Sequence, residues 1–205
     1  MTKIGIIAGG GKLPIIVGES LIKSKFEVIF FCIKNHYDSK FYKNFNHEII
    51  SIYSLKKIIQ RLKNNNINKI VMIGKVTRPS ISDIKFDLKT LSLIKYLALE
   101  SKGDNKLLNS ISMLFQDNGF VIYNWKNKCK DIFAKDKYLT KITPSKSAVK
   151  NAEKGLNSFK YIGKADIAQS LIVQNNIILG VEAAEGTDEL IKRCSMYKKK
   201  EIKEF

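Results

Sequence analysis

Cysteine is scarce in this sequence. Cys32, Cys129 and Cys194 are scattered, odd in number and never in C-x-x-C spacing, which excludes a disulfide framework and a cysteine zinc site and leaves reduced, packed thiols. Long apolar runs are missing as well. No stretch approaches the roughly 18 uninterrupted apolar residues of a membrane helix, and Met1-Thr2-Lys3 leads straight into strand-like sequence without a signal-peptide pattern. A soluble, cytoplasmic protein is therefore expected. Histidine is limited to His36 and His47, in a polar stretch with no cysteine or acid at ligand spacing, so neither a histidine metal site nor a histidine base is expected. No G-x-S-x-G elbow is present, which argues against a serine hydrolase. Acidic residues are the other shortage: 19 Asp and Glu stand against 36 Lys and Arg, a net charge of +17. Such a balance suits nucleic acid, an anionic membrane or an acidic small molecule. The lysines are spread along the whole chain, however, and runs such as Lys56-Lys57 and Lys198-Lys199-Lys200 read as solvated faces. No helix-turn-helix, zinc or RNA-binding aromatic motif accompanies them, so no nucleic acid is expected. Attraction to anionic lipid headgroups fits, at about 1 kcal/mol per basic residue near the surface.

What the chain has is 205 residues with 44% hydrophobic content, enough to bury the core of one or two domains. Its opening, Lys3-Ile4-Gly5-Ile6-Ile7-Ala8-Gly9-Gly10-Gly11-Lys12-Leu13-Pro14, is a buried-strand run, three glycines and the start of a helix. That order puts backbone N–H groups and a helix N-terminus at the end of a parallel strand, where α/β proteins hold phosphates. A plain tight turn is the other reading. A dinucleotide fingerprint would need a glycine where Pro14 stands, and a P-loop would need a glycine at Ile6 and a hydroxyl at Leu13. An NAD site would also want an acid about twenty residues on. The second strand instead ends in Lys34 and Asn35, which leaves only an NADP-dependent oxidoreductase, with Lys34 reading a 2′-phosphate, as a dinucleotide alternative.

Residues 13 to 24 place Leu13, Ile16, Val17, Ser20 and Leu21 on one helical stripe, and Glu27 to Ile33 reads as the second strand. Glu48 to Ile52 is a short third strand, Ser54 a cap for a helix from Leu55 to Lys63, and Lys69 to Ile73 a fourth strand closed by Gly74. This alternation predicts a parallel sheet with helices on both faces. Gly74-Lys75-Val76-Thr77-Arg78-Pro79 then sits at a strand's carboxyl end, where Arg78 can fork onto a phosphate or simply lie on the surface. Helical segments are expected at about Leu88 to Leu99 and Asp104 to Gln116, with Asp104 read as a cap, and Gly119 to Tyr123 as a fifth strand.

The domain boundary is placed after residue 135, giving domains 1–135 and 136–205. The second begins with a helix to about Tyr161, ended by Gly163. Leu171 to Gln174 and Ile177 to Glu182 flank Asn175-Asn176 as a β-hairpin, because asparagine tolerates the positive φ of a tight turn. A last helix follows, with Thr187 as N-cap and Asp188 and Glu189 in its first turn. Carboxylates beside glycines, Asp104, Asp166, Glu182, Glu185 and Asp188, are the candidates for chemistry. Such hard oxygen ligands bind magnesium or manganese together with substrate phosphates, although capping is the commoner fate of Asp104 and Asp188.

The opening stretch, Gly74-Lys75-Val76-Thr77-Arg78-Pro79, Lys102-Gly103-Asp104-Asn105-Lys106-Leu107-Leu108, Asp166-Ile167-Ala168-Gln169 and Val181-Glu182-Ala183-Ala184-Glu185-Gly186-Thr187-Asp188 occur in this order. As a set they resemble the UDP-2,3-diacylglucosamine pyrophosphatase family of lipid A biosynthesis that carries the DUF1009 domain. The resemblance covers essentially the whole chain. It implies an α/β fold, an N-terminal Rossmann-like parallel sheet with flanking helices followed by a smaller α+β domain. It also implies a Mg2+- or Mn2+-dependent hydrolase that cleaves UDP-2,3-diacylglucosamine to UMP and 2,3-diacylglucosamine 1-phosphate, water attacking the α-phosphorus and the acylated product lying between the domains. Asp188 and Glu185 are then the catalytic and metal-binding residues. Gly10, Gly11, Lys12, Leu13, Arg78, Asp104, Gln169 and Thr187 bind substrate. The expected setting is cytoplasmic and peripheral at the anionic inner-membrane surface, with a homodimer left open. Two departures stand out: Asn105 occupies a position that is commonly aspartate in the family, and family chains continue past the position of Phe205 through a segment with an Asp-Leu-Pro and a catalytic aspartate. The second domain is accordingly expected to be incomplete, and the alternative function is a catalytically deficient homologue that binds the nucleotide-sugar lipid or its product.

Overall fold

The structure, a computed structural model, describes residues 1–77, 104–134, 139, 141–164 and 168–198, with the backbone alone for 104–107. The chain divides into two compact units, Met1–Lys102 with Lys106–Ala134, and Lys135–Phe205 with Gly103–Asn105.

The first unit is an α/β sheet of Rossmann-like type. Its strands are β1 (Lys3–Ala8), β2 (Glu27–Ile33), β3 (His47–Ile50), β4 (Lys69–Ile73) and β5 (Val121–Ile122), ordered β3-β2-β1-β4-β5 and all parallel. Both faces of the central strands are covered, so their sequences are continuously apolar rather than alternating. On one face Ile4, Ile6, Ala8, Val28, Phe30 and Cys32 pack with Val17 and Leu21 of helix α1 (Leu13–Lys23). On the other, Ile7, Ile29, Phe31 and Ile33 pack with Ile58 and Leu62 of α2 (Leu55–Asn64) and Phe115 of α3 (Asp104–Asp117). Each fully buried side chain of this size contributes about 1.5–3 kcal/mol relative to exposure.

The edges of the sheet depart from the sequence reading for identifiable reasons. Strand β3 starts at His47 and stops at Ile50, because β2 ends at Ile33 opposite Ile50 and leaves Ser51 and Ile52 no ladder partner. Ser54 sits at the N-cap of α2 but makes no side-chain cap bond. Strand β5 is shortened because Gly119 and Phe120 belong to the end of α3: Phe120 N–H donates to the Phe115 carbonyl at 3.0 Å and Gly119 N–H to that of Gln116 at 2.9 Å. With Gly119 at φ 87° and the Phe115 and Phe120 rings edge to face at 5.8 Å, this is a Schellman motif with its apolar clasp. The helix expected over Leu88 to Leu99 lies outside the described residues.

The second unit carries α4 (Lys146–Lys164), the antiparallel pair β6 (Leu171–Gln174) and β7 (Ile177–Val181), and α5 (Thr187–Ser195). Helix α4 runs through Gly163, since a glycine near a helix end costs only about 1 kcal/mol and does not break the hydrogen-bond ladder. Asn175 and Asn176 both adopt positive φ, 51° and 59°, and make the hairpin turn, while Asn176 N–H donates to Asn151 Oδ1 on α4 at 2.8 Å. Leu190 and Cys194 of α5 are buried. They pack over Gly180 so closely that a Cβ there would meet Cys194 Sγ at 2.5 Å. No described helix is long and apolar enough to cross a membrane.

Candidate functional site

The strand order places β1 where the sheet reverses direction: the chain moves outward through β2 and β3, then returns to β4 on the other side of β1. The carboxyl ends of β1 and β4 therefore form the crevice where open α/β sheets bind ligands. The backbones leaving them are joined. Gly9 N–H donates to the Ile73 carbonyl at 2.9 Å, Gly10 N–H to Lys75 at 2.7 Å, and Lys75 N–H back to Gly10 at 2.9 Å. A Cβ on Gly9 would lie 2.6 Å from the Lys75 carbonyl oxygen, and one on Gly10 2.8 Å from that of His36.

The first two glycines thus serve backbone packing, and their N–H groups are already used. Gly10, expected to bind substrate through the turn, has no amide left to offer. At this turn the N–H groups of Gly11, Lys12 and Leu13, at the start of α1, have no partner among the described residues, and Gly11 faces open space. Lys12 is the N-cap residue, makes no side-chain cap bond and is exposed, as is Lys75. Free amides at the positive end of a helix, with two lysines beside them, match the chemistry of a phosphate. Lys75 is the group the sequence reading passed over as a site residue. Its signal was its place directly after the glycine that closes β4.

In the second unit the three candidate carboxylates at and after the β7–α5 loop are in three different states. Glu182 Oε2 accepts hydrogen bonds from the hydroxyl of Ser170 and, at 2.8 Å, from Thr187 Oγ1. Glu185 pairs with Arg193 Nη2 at 2.7 Å and accepts from the Ala183 N–H at 3.0 Å. The Arg193 hydrogen bond holds the Glu185 carboxyl below its usual range. Asp188, in the first turn of α5 and exposed, is the one of the three whose carboxylate has no partner among the described residues. Thr187 is the first helical residue rather than the N-cap. Gly186, at φ 84°, takes the cap position, and the Thr187 hydroxyl is spent on Glu182.

Gln169 is exposed and lies just before β6. Arg78 and Asp166 lie outside the described residues, and of Asp104 only the backbone, at the start of α3, is described. Among the described residues no group of three or more His, Cys, Asp or Glu is gathered to hold a metal. A magnesium-type ion needs less than that: one or two carboxylates suffice when substrate phosphates and water complete its shell. Asp188 meets this requirement with an uncommitted carboxylate, whereas Glu185 meets it only if Arg193 lets go. A groove of about 480 Å3 along α4, lined by Glu153, Leu156, Asn157, Phe159 and Lys160, shares no residue with either set.

Residues 3–132 match the LpxI N-terminal domain and residues 135–203 the LpxI C-terminal domain. Over 196 residues the chain is 27% identical to the UDP-2,3-diacylglucosamine pyrophosphatase LpxI of Caulobacter vibrioides, an alignment that spans 95% of this chain and 70% of that relative.

Proposed function

Because the chain belongs to the LpxI family, matching its two domains in order, we propose that it acts in lipid A biosynthesis by hydrolysing the pyrophosphate of UDP-2,3-diacylglucosamine. The products are UMP and 2,3-diacylglucosamine 1-phosphate. The observation that carries the reading is the match of both family domains along the chain, and the chemistry of the described groups supports it.

Cleaving a pyrophosphate requires neutralising charge that builds on phosphoryl and bridging oxygens, and a placed water. The Gly11, Lys12 and Leu13 amides with the Lys12 and Lys75 ammonium groups supply positive potential for phosphate oxygens. Arg78 is assigned the same task. Asp188 would hold a Mg2+ or Mn2+ ion, and Glu185 would be a second oxygen donor if its pairing with Arg193 opened. When bound, the cation supplies charge neutralisation at the pyrophosphate. In the step itself a bond forms between the water oxygen and the α-phosphorus. The bond from that phosphorus to the bridging oxygen breaks, and the bridging oxygen leaves on the sugar 1-phosphate. The proton lost by the water passes to solvent. A substrate with acyl chains places the protein peripherally at the cytoplasmic face of the inner membrane, where its net charge of +17 favours anionic lipid.

The test is UMP release from UDP-2,3-diacylglucosamine by the full chain, with and without a chelator. We expect metal-dependent release that falls at least about tenfold in Asp188→Asn, the size of loss typical for a group that holds a catalytic ion. Binding of the lipid without release under any divalent ion would identify a binder instead.

A further inference from the structure

Among the described residues the Glu182 carboxylate is hydrogen-bonded by two hydroxyls and paired with no cation. It is the first residue after β7, and its own N–H donates to the Ser170 carbonyl at 2.9 Å. Its Oε2 accepts from the Ser170 hydroxyl and from Thr187 Oγ1 at 2.8 Å. One side chain therefore joins three segments: the residue before β6, the residue after β7 and the first residue of α5. Hydrogen bonds to an ionised acceptor are about twice as strong as neutral ones, so this single oxygen is an effective anchor.

What the anchor holds is the turn that carries Asp188. Between Glu182 and Thr187 the chain passes through Glu185, tied to Arg193, and through Gly186, whose positive φ turns the backbone into the helix. Arg193 also reaches back to the Val181 carbonyl at 3.3 Å. Both ends of the loop are thereby fixed to the hairpin and to the second turn of α5. Asp188 follows Thr187 directly and is the acid the bracing leaves uncommitted.

We propose that Glu182 is a positioning residue: through the Thr187 hydroxyl it sets the N-terminal turn of α5 and so the place of Asp188. The proposal rests on the reading of Asp188 given above only for its catalytic consequence, not for the anchoring itself. Glu182 touches neither substrate nor ion in this role. The hydroxyl of Thr187 acts by binding Glu182, which reassigns it from substrate contact to support.

The experiment compares the wild-type chain with Thr187→Val, Thr187→Ser and Glu182→Gln by amide hydrogen exchange and by turnover of UDP-2,3-diacylglucosamine. Thr187→Val keeps the side-chain shape and removes the donor. Exchange of the Leu190 amide, which donates to the Gly186 carbonyl at 3.1 Å and closes the first turn of α5, should rise about tenfold in that variant while the β6–β7 amides keep their wild-type protection, a local opening rather than global unfolding. Its kcat should fall at least about fivefold with KM within about twofold, and Thr187→Ser should restore both quantities. Unchanged exchange in Thr187→Val overturns the proposal; faster exchange with unchanged kcat overturns it where Asp188→Asn lowers kcat, and overturns the reading of Asp188 where it does not. If the wild-type chain shows no turnover, the hydrolase reading fails, and the exchange comparison alone decides whether Glu182 anchors the turn.

Discussion

Gly10 and Lys75 exchange both of their backbone hydrogen bonds, N–H to carbonyl at 2.7 Å in one direction and 2.9 Å in the other. The loops leaving β1 and β4 are thus held together at the carboxyl edge of the sheet, and glycine is what lets them approach. Gly9→Ala would put a Cβ 2.6 Å from the Lys75 carbonyl oxygen, against backbone that cannot swing aside. We expect a loss of about 1–3 kcal/mol by urea denaturation, as for overpacking generally. Gly11→Ala meets no neighbouring atom and differs in kind: its cost comes only from the backbone at φ 88°.

The hairpin turn separates two substitutions at a single position. Asn176 sits at φ 59°, which glycine adopts freely and a β-branched residue resists. Asn176→Gly should be neutral within about 0.5 kcal/mol, and Asn176→Val should destabilise by at least about 1 kcal/mol, read from thermal or urea unfolding.

Two buried acids make stability fall at high pH. Burial pushes the Cys32 thiol from 9.0 up to about 12. Tyr42 is raised as well, by burial first and then by its proximity to Cys32, and its hydroxyl has no hydrogen-bond partner among the described residues. The folded state keeps protons that the unfolded chain releases, so ν_U falls below ν_N and the slope of stability with pH is negative. The loss begins as pH passes the unfolded thiol value and continues towards the folded one, by up to about 1.4 kcal/mol per pH unit for each retained proton. Urea midpoints measured from about pH 8 to 11 should decline, and Cys32→Ala should reduce the slope. The same burial predicts that Cys32 resists alkylation in the native protein and reacts in urea, because the thiolate is the reactive form.

Arg193 holds the Glu185 carboxyl below its usual range, and Glu185 in turn raises Arg193. Arg193→Ala should therefore move the Glu185 titration upward when followed by carbon-detected NMR. A depressed carboxyl contributes stability that is present above the unfolded value and lost as pH falls through the folded one. Removing Arg193 takes that contribution away, so stability drops above the unfolded value while the decline on acidification becomes shallower.

The interior of the fold was legible in the sequence. β1, β2 and β4 are continuous apolar runs whose burial on both faces leaves no other arrangement, and Asn175-Asn176 names its own turn. The edges were less so, because they depend on partners: β3 stops where β2 ends, and Phe120 leaves β5 to close α3 over Phe115. The same holds for the candidate site. The candidate residues, at the ends of β1 and β4 in the first unit and after β7 in the second, were named from glycines and carboxylates in sequence. The division of labour was not. That Gly9 and Gly10 spend their amides on β4, and that Glu185 is taken by Arg193 eight residues on, requires the path of two loops that no local pattern encodes. The sequence did carry one usable sign, a basic residue two helical turns beyond Glu185 on α5.

The central claim is hydrolysis at the α-phosphorus, and the most direct measurement is incubation of the full chain with UDP-2,3-diacylglucosamine and Mg2+ in 18O-labelled water, read by mass spectrometry. The expected products are UMP carrying one labelled oxygen and unlabelled 2,3-diacylglucosamine 1-phosphate. Intact substrate, release of UDP, or label on the sugar phosphate would contradict it.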